Sequence, residues 1–286
     1  MPGSLEQSVL VDTLAPPTGP WTRVDVVALV GSTNAVSLVE PVPWRLVVAE
    51  AQEAGRGRHA RVWVSPPGTS VAMSLTVPLP ERVADWGWIP LVTGLAVRDG
   101  LVRLSQEAGD PLEVVLKWPN DVLVRPRSAR AGDADDVSTG GEEFRKVCGI
   151  LCEGGDGVVV AGVGVNVTVP AEELPVPTAT SLHLAGLSVS REDVVVGVAE
   201  AFADRYSTFL AGADALDGLR RDYREACSTL GAEVRIHLPG APGTPRDVRG
   251  RAVDLDLAGC LVLDVDGVRR TFAAGDVVHV RPAERA

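Results

Sequence analysis

The chain has 286 residues, 45% of them hydrophobic and 4% aromatic, and a formal net charge of −11. This is enough for a sizeable core in one large domain, or in one large and one small domain. The acidic balance argues against non-specific nucleic-acid binding as the main role. Four cysteines without metal-type pairing, no apolar run of about 18 residues and no signal-peptide pattern predict a cytoplasmic protein outside the membrane.

In chain order, the N-terminal half alternates Val-rich strands with helices. Pro and Gly punctuate residues 1–22, which predicts an extension that lies over the surface. Hydrophobic patterning predicts three strands, at 23–30, 44–50 and 69–79. It also predicts a helix from Ser32 or Thr33 to Glu40 and a long helix from Trp86 to Ala108. Two short strands flank the turn "WPND" within 112–124.

The C-terminal half changes character near residue 228. Residues 125–146 are rich in Gly, Ser and Asp and predict a mobile insertion. Two strands, "VCGILCEG" and "GVVVAGVGVNVTV", are expected to join at Gly155–Gly157, and a helical pattern runs from Arg191 to about Cys227. Short strands from Gly231 onward predict a small β-barrel. We therefore expect α/β or α+β architecture, with an extension at 1–22, a main domain at 23–227 and a β-domain at 228–286.

The stretch "AGRGRHAR" leaves the end of a predicted core strand. Gly55 and Gly57 let backbone N–H groups approach a ligand closely, while Arg56 and Arg58 offer planar forks suited to phosphate or carboxylate. The alternative is a solvated Arg/Gly loop. Its position between two core strands, with Trp63 available as an anchor, favours a phosphate-binding loop that orders around an anion.

Two further motifs bear polar groups at strand ends. Lys117 in "KWPND" follows an apolar run and could stabilise charge on a carboxylate and an α-phosphate, although a surface lysine at a turn is the simpler interpretation. Asn120 and Asp121 could hold a metal or cap the turn. In "AGVGVNV", alternating glycines admit a close ligand or backbone, and Asn166 is either a ligand-side amide or a satisfied core amide.

In combination and order, these motifs resemble the biotin protein ligase family. The resemblance covers about 23–224, and the small C-terminal β-domain also fits the family. The matching motifs are "GSTN" (31–34), "AEAQEAGRGRHAR" (49–61), "W-x-SPPG" (63–68), "KWPNDVLV" (117–124), "VCGILCE" (147–153) and "GVGVNV" (162–167).

The resemblance implies an α+β fold: a mixed-sheet, class II synthetase-like catalytic domain with a small C-terminal SH3-like β-barrel. It also implies two chemical steps with ATP, biotin and Mg²⁺. The biotin carboxylate first attacks the α-phosphate of ATP and gives biotinyl-5′-adenylate and pyrophosphate. A lysine of a biotin carboxyl carrier protein, part of an acyl-CoA carboxylase, then attacks the adenylate and releases AMP.

The resemblance carries family roles onto particular positions. Lys117, Arg56 and Arg58 correspond to catalytic residues. Biotin-binding positions are Ser32, Thr33, Asn34, Gln52, Arg56, Gly57, Arg58, Lys117 and Gly149. Positions on the ATP or adenylate side are Arg56, Arg58, Arg61, Trp63, Asn120 and Asn166. Mg²⁺ is expected mainly through the ATP phosphates, with Asp121 or Asn166 as candidate ligands.

Some features depart from the family pattern or leave alternatives open. Ala60 stands where the family loop usually has a third glycine, and the insertion at 125–146 has no assigned role. A lipoate or octanoate ligase would share the lysine and the Gly-rich loop, whereas the "KWPND" motif favours biotin. A ligand-sensing transcriptional repressor is the other alternative. Because only about 22 residues precede the first strand, we expect no nucleic-acid binding, and a monomer or weak homodimer.

Overall fold

The computed structural model describes residues 4–58, 61–127, 144–238, 246–273 and 275–279. The helices are α1 (Gln7–Leu14), α2 (Thr33–Val39), α3 (Ile89–Glu107), α4 (Arg191–Leu210) and α5 (Ala213–Ala226), with 3-10 turns at Val83–Trp88 and Ala171–Glu173. The strands are β1 (Arg23–Val30), β2 (Arg45–Arg56), β3 (Val62–Ser65), β4 (Ser70–Pro78), β5 (Val114–Lys117), β6 (Asp121–Val124), β7 (Arg145–Gly155), β8 (Val158–Asn166), β9 (Glu233–Leu238), β10 (Arg246–Leu255), β11 (Leu261–Val265), β12 (Val268–Phe272) and β13 (Asp276–His279). Within these ranges, no helix has the length and apolar character needed to cross a bilayer.

The large sheet has eight strands in the order β1-β2-β4-β8-β7-β6-β5, with β3 paired to the end of β2. Strands β1 and β2 are parallel and the other pairs are antiparallel, so the sheet is mixed. Helix α3 packs on β5, β6 and β7, and α4 packs on α3. Because side chains alternate along a strand, the residues of β8 that face this helical layer are the apolar ones at 159, 161, 163 and 165.

The N-terminal segment differs from the surface extension that the sequence predicts. Residues 7–14 form helix α1, in which Leu10 and Leu14 are fully buried. Trp21, also fully buried, meets Trp44 edge-on at 5.6 Å and stacks on Phe202 at 6.1 Å between ring centroids. The prediction was wrong here because the many prolines and glycines hid an apolar pair spaced by one helical turn.

The predicted helices are largely present, with two differences in length. The segment from Trp86 begins as a 3-10 turn, and α3 starts at Ile89. The helical pattern from Arg191 to Cys227 is two helices, because Gly212 takes a φ of 114° between them. Helix α4 begins at a capping box in which Ser190 and Asp193 bond each other's backbone N–H groups.

The predicted turn between β7 and β8 is confirmed. Asp156 and Gly157 adopt positive φ values of 49° and 79°, as a two-residue hairpin requires. The cysteines on this sheet are free and pack into the core, as expected for cysteines that fill space. Burial raises the pKa of the Cys152 thiol to about 12, which keeps it protonated and unreactive.

The C-terminal strands form a separate antiparallel sheet in the order β12-β11-β10-β9-β13. The main sheet touches it at the turn between β5 and β6, where the buried Trp118 donates from Nε1 to the Gly259 carbonyl at 3.0 Å. Arg224 at the end of α5 also pairs with Asp254 of β10 at 2.7 Å. The predicted α+β class, with a mixed sheet followed by a small β-domain, is confirmed. The domain boundary at 227/228 stays a prediction.

Replacing Leu14 tests whether the N-terminal helix belongs to the core. Leu14→Ala should lower the free energy of unfolding by about 2–5 kcal/mol, because it leaves a cavity in packed surroundings. Val9→Ala in the same helix is the control, since Val9 is 50% exposed and the change should stay within about 0.5 kcal/mol. Urea denaturation measures both variants. Equal effects would contradict a packed N-terminal helix.

Candidate active site

Three glycines of β7 and β8 form a bare strip on the sheet face opposite α3. The strand register sets Gly149 opposite Gly164 and Leu151 opposite Gly162. A Cβ at Gly164 would come within 2.3 Å of the Trp63 indole, and one at Gly149 within 2.8 Å. At Gly162 it would lie 2.4 Å from Asn34 Oδ1. We call the space over these three glycines the furrow.

The segment 32–34 brings hydrogen-bonding groups to one end of the furrow. Ser32 caps α2 by accepting from the Ala35 N–H at 3.4 Å. Gln52 Oε1 accepts from the Thr33 N–H at 2.9 Å and from its hydroxyl at 3.2 Å. The side chains of Ser32, Thr33, Asn34 and Gln52, all predicted to face biotin, therefore lie together, and each of these residues is buried.

Two residues that sequence reasoning missed complete this end. Ser74 of β4 is fully buried, and its hydroxyl lies 2.8 Å from Thr33 Oγ1 and 2.6 Å from Asn34 Oδ1. Glu153 of β7 accepts from Asn34 Nδ2 at 2.8 Å and pairs with the Arg56 guanidinium at 3.1 Å. Glu153 was present in the quoted motif "VCGILCE" but had no assigned role.

The Arg/Gly stretch is partly strand. Strand β2 continues through Arg56, and the chain then turns so that the Gly57 N–H donates to the Arg61 carbonyl at 2.7 Å. The departure at Ala60 lies outside the described residues, as do residues 128–143 of the predicted insertion. The described residues on either side of this loop, Gly57 and Arg61, are joined by that hydrogen bond, and the expected mobility of the loop stays a prediction.

The arginines of this turn reach the C-terminal sheet. Arg58 donates to Asn120 Oδ1 at 3.5 Å and to the Gly275 carbonyl at 3.4 Å, and burial lowers the pKa of its guanidinium. Arg61 forms an ion pair with Asp276 of β13. We call Gly57, Arg58 and Arg61 the lid, since these contacts connect the two arginines to the C-terminal sheet.

Lys117 lies at the other end of the furrow from Thr33. It is the last residue of β5 and pairs in register with Asp121, the first residue of β6. Burial lowers the pKa of the Lys117 ammonium; the charge of Asp121 partly offsets this, and the nearby Lys146 and Arg61 add to it. Asp121 also pairs with Lys146, whose Nζ lies 2.5 Å from Oδ1. Lys146 is a third residue that sequence reasoning missed.

The two predicted asparagines have structural partners. Asn120 Nδ2 donates to the Ile150 carbonyl at 2.9 Å, and Asn166 Nδ2 donates to the Thr180 carbonyl at 3.0 Å. No group of three His, Cys, Asp or Glu side chains within the described ranges could hold a metal. Asp121 pairs with Lys146, and its role as a Mg²⁺ ligand, like that of Asn166, stays a prediction.

Trp63 rests on the furrow floor. Its indole lies over Gly149 and Gly164, and the Lys146 ammonium stands 5.4 Å from the ring centroid. Its Nε1 is buried without an acceptor among the described residues, so no hydrogen bond fixes the indole there. A cavity of about 920 Å³ opens between the start of α3 and the C-terminal sheet; its lining includes Leu151 and, of the predicted site residues, Arg58 and Asn120.

The contact between Arg61 and Asp276 can be tested directly. Asp276→Asn should raise amide hydrogen exchange in the lid by roughly two- to fivefold, because a half-exposed ion pair contributes up to about 1 kcal/mol. Asp266→Asn, at an exposed turn of the same sheet, serves as the control. Mass-spectrometric exchange reads both variants. Unchanged lid protection in Asp276→Asn would show that the pair does not hold the lid.

Comparisons with known proteins identify the family of this chain. Residues 29–169 match the biotin/lipoate A/B protein ligase family, and residues 229–280 match the biotin protein ligase C-terminal domain. The biotin–[acetyl-CoA-carboxylase] ligase of Mycobacterium tuberculosis is 37% identical, over 97% of this chain and 96% of that protein.

More distant relatives share the fold or part of their length. The bifunctional ligase/repressor BirA of Escherichia coli is 24% identical over 83% of this chain and 67% of its own. The Aquifex aeolicus biotin protein ligase, solved with biotin and ATP, superposes with a TM-score of 0.69 at 23% identity, covering 91% of this chain and 99% of that chain. By the mycobacterial identity and both family matches, the chain belongs to the biotin protein ligase family.

Proposed function

We propose that the furrow performs ATP-dependent ligation of biotin to a carrier lysine, the activity for which the mycobacterial relative is named. The observation that supports this most directly is the order of groups along β7. Hydrogen-bonding partners of α2 gather at Leu151 and Glu153, and cations gather near Gly149. Bare glycine backbone lies between them. A substrate with an uncharged polar head and a carboxylate tail matches that order.

The buried network around Gln52 is suited to the ureido head of biotin. A ureido group offers one acceptor and two donors, and each bond left unmade on burial costs about 1–3 kcal/mol. The hydroxyls of Thr33 and Ser74 can turn to donate or accept, while Asn34 and Gln52 supply both amide donors and acceptors. These groups already hold one another, so little ordering remains for the ligand.

Lys117 stands where the two reacting anions must meet. The carboxylate oxygen attacks the α-phosphorus of ATP; the bond from this phosphorus to the bridging oxygen breaks, and pyrophosphate leaves with the electron pair. Two anions repel each other as they approach, and the half-buried ammonium of Lys117 offsets that repulsion in both the ground and transition states. When Mg²⁺ is bound to ATP it neutralises phosphate charge, and Asp121 is the carboxylate available to it.

Arg56 at the end of β2 and Arg58 of the lid protect the adenylate that results. Arg56 and Arg58 can each exchange a protein partner for a phosphate oxygen, in the planar geometry that guanidinium favours. The lid then covers a mixed anhydride that water would otherwise hydrolyse. Entry of the ligand moves the Trp63 indole from the glycine floor, which costs it no hydrogen bond among the described residues. Its ring face can then stack on a purine.

Transfer completes the reaction on a carboxylase carrier domain. The uncharged carrier lysine attacks the carbonyl carbon of the adenylate, the bond to the phosphate oxygen breaks, and AMP leaves. The name of the mycobacterial relative identifies acetyl-CoA carboxylase as its acceptor, and we propose the same class of partner here. The requirement for ATP favours a cytoplasmic reaction, carried out by a monomer or weak dimer.

A single assay tests the choice of acid. The chain is incubated with ATP, Mg²⁺, a carboxylase carrier domain and either labelled biotin or labelled lipoate. Label from biotin should appear on the carrier lysine, while lipoate, which lacks a ureido head, should leave the carrier unlabelled. Lys117→Met, with the same protein concentration, gives the background. Labelling by lipoate in preference to biotin would contradict the proposed function.

Lys117 should control adenylation without supporting the fold. Lys117→Met should slow biotin-dependent exchange of pyrophosphate into ATP by about 100-fold or more, as loss of a transition-state electrostatic contact does. Urea denaturation should show that the variant remains folded. Exchange within threefold of the wild type would exclude a catalytic role for this ammonium.

The pH dependence of exchange tests the same residue. Only the ammonium form attracts the phosphate, so activity falls as rising pH removes its proton. Because burial lowers the pKa of Lys117, this fall should occur below the value of about 10.4 typical of lysine. Lys117→Arg is the control, since its guanidinium stays charged and any residual activity should not fall over that pH range. If the activity of both proteins falls over the same pH range, the fall belongs to another group.

A further inference from the structure

A β-bulge turns Lys146 into the furrow. Val122 pairs with Cys148 and Leu123 pairs with Lys146, so Val147 is an extra residue on β7 without an opposite partner. Both Val147 and Cys148 point into the core, and the side-chain alternation shifts at that point. Lys146 therefore faces the same side as Gly149, where an added Cβ would lie 3.3 Å from its Nζ. Bulges often redirect a side chain in this way beside active sites.

The backbone of Lys146 is fixed on its other edge. Its N–H donates to the Thr178 carbonyl at 2.8 Å, and its carbonyl accepts from the Thr180 N–H at 2.8 Å. This clamp and the bulge hold the Cα of Lys146 in place, while the ammonium can still pivot on its four-carbon stem. The side chain is 27% exposed, so the ammonium is partly shielded from water but remains accessible to a ligand.

The charges around Lys146 favour an incoming anion. Lys117 and Lys146 share the single carboxylate of Asp121, one by strand register and the other at 2.5 Å. Arg61, close enough to influence the ionisation of Lys117, adds a third cation. With Asp276, the partner of Arg61, counted beside Asp121, three cations face two carboxylates here, and an anion with several negative oxygens would relieve the repulsion between the cations.

The rarity of lysine in this chain supports a specific use of Lys117 and Lys146. Of the 27 lysine and arginine residues in the chain, Lys117 and Lys146 are the only lysines. Every other cationic side chain of these two types is arginine, so a surface charge in this protein is ordinarily a guanidinium. Both compact ammonium groups are placed beside one aspartate in the furrow. A point charge with three rotatable donors suits a phosphate chain that moves during reaction better than a rigid fork does.

We propose that Lys146 binds the β- and γ-phosphates of ATP and stabilises the pyrophosphate as it leaves, while Lys117 serves the attacking carboxylate. This rests on the proposed adenylation function. The attacking and leaving oxygens lie on opposite sides of the α-phosphorus, so a different cation can serve each of them. Asp121 holds the Lys146 ammonium ready until the phosphates replace it as its partner.

Half-reactions distinguish this role from a structural one. Lys146→Met should slow biotin-dependent pyrophosphate exchange by about 100-fold and raise the KM for ATP and for pyrophosphate, with the KM for biotin unchanged. Transfer from preformed biotinyl-5′-adenylate to a carrier domain should stay within threefold of the wild type, since no pyrophosphate is involved. Lys146→Arg, which keeps the charge, should lose less exchange activity. Arg145→Met, exposed on the same strand, is the matched control.

Chemical labelling of the wild type provides a test that needs no variant. Reductive methylation followed by mass spectrometry reads both lysines separately, because the chain has no others. Inorganic pyrophosphate should protect Lys146 more than Lys117, and biotin should protect Lys117 more than Lys146. The reverse pattern, or equal loss of exchange and transfer in Lys146→Met, would overturn the proposal. A wild type that shows neither exchange nor transfer would instead refute the proposed function.

Discussion

The antiparallel register of β7 and β8 is the constraint on which the site depends. It places Gly149 opposite Gly164 on one face, while Cys148 and Val165 meet on the other face within the core. A slip of one residue would exchange the two faces of the moved strand, burying glycine under α3 and filling the furrow with side chains. The pairing that packs side chains against the helices therefore also keeps side chains out of the furrow. The same hydrogen bonds support both the stability of the sheet and access to the site.

Three cations around the furrow each have a carboxylate partner that a ligand could replace. Arg56 pairs with Glu153, Arg61 with Asp276 and Lys146 with Asp121. Each pair is partly exposed, so each contributes at most about 1 kcal/mol to stability. A carboxylate partner orders each cation in advance, yet a phosphate with a higher charge can displace it at small cost. The cations are thus ordered before a ligand binds, and the ion pairs that order them remain weak enough to be replaced.

Sequence reasoning located the strands that carry the motifs, but it could not identify their spatial neighbours. Hydrophobic alternation placed Ser74 within a core strand, yet nothing in the pattern indicates that its hydroxyl meets Thr33. Lys146 was counted in the insertion, because a bulge is set by pairing with β6 and leaves no trace in composition. Asp276 is distant from the lid in sequence. Such contacts depend on tertiary packing, whereas the order of Gly-rich and cationic motifs follows from the chain alone.

The C-terminal sheet contacts the segment next to Lys117 as well as the lid. Trp118, next to Lys117, is buried; its indole donates to Gly259 and its backbone N–H to Thr229 Oγ1. On the other side of the furrow, Arg58 reaches the carbonyl of Gly275. A shift of the small sheet would therefore move both the ammonium and the lid arginine. Since electrostatic stabilisation requires groups fixed before reaction, the proposed role of Lys117 implies that the C-terminal sheet belongs to the catalytic framework, although it is distant from the motifs in sequence.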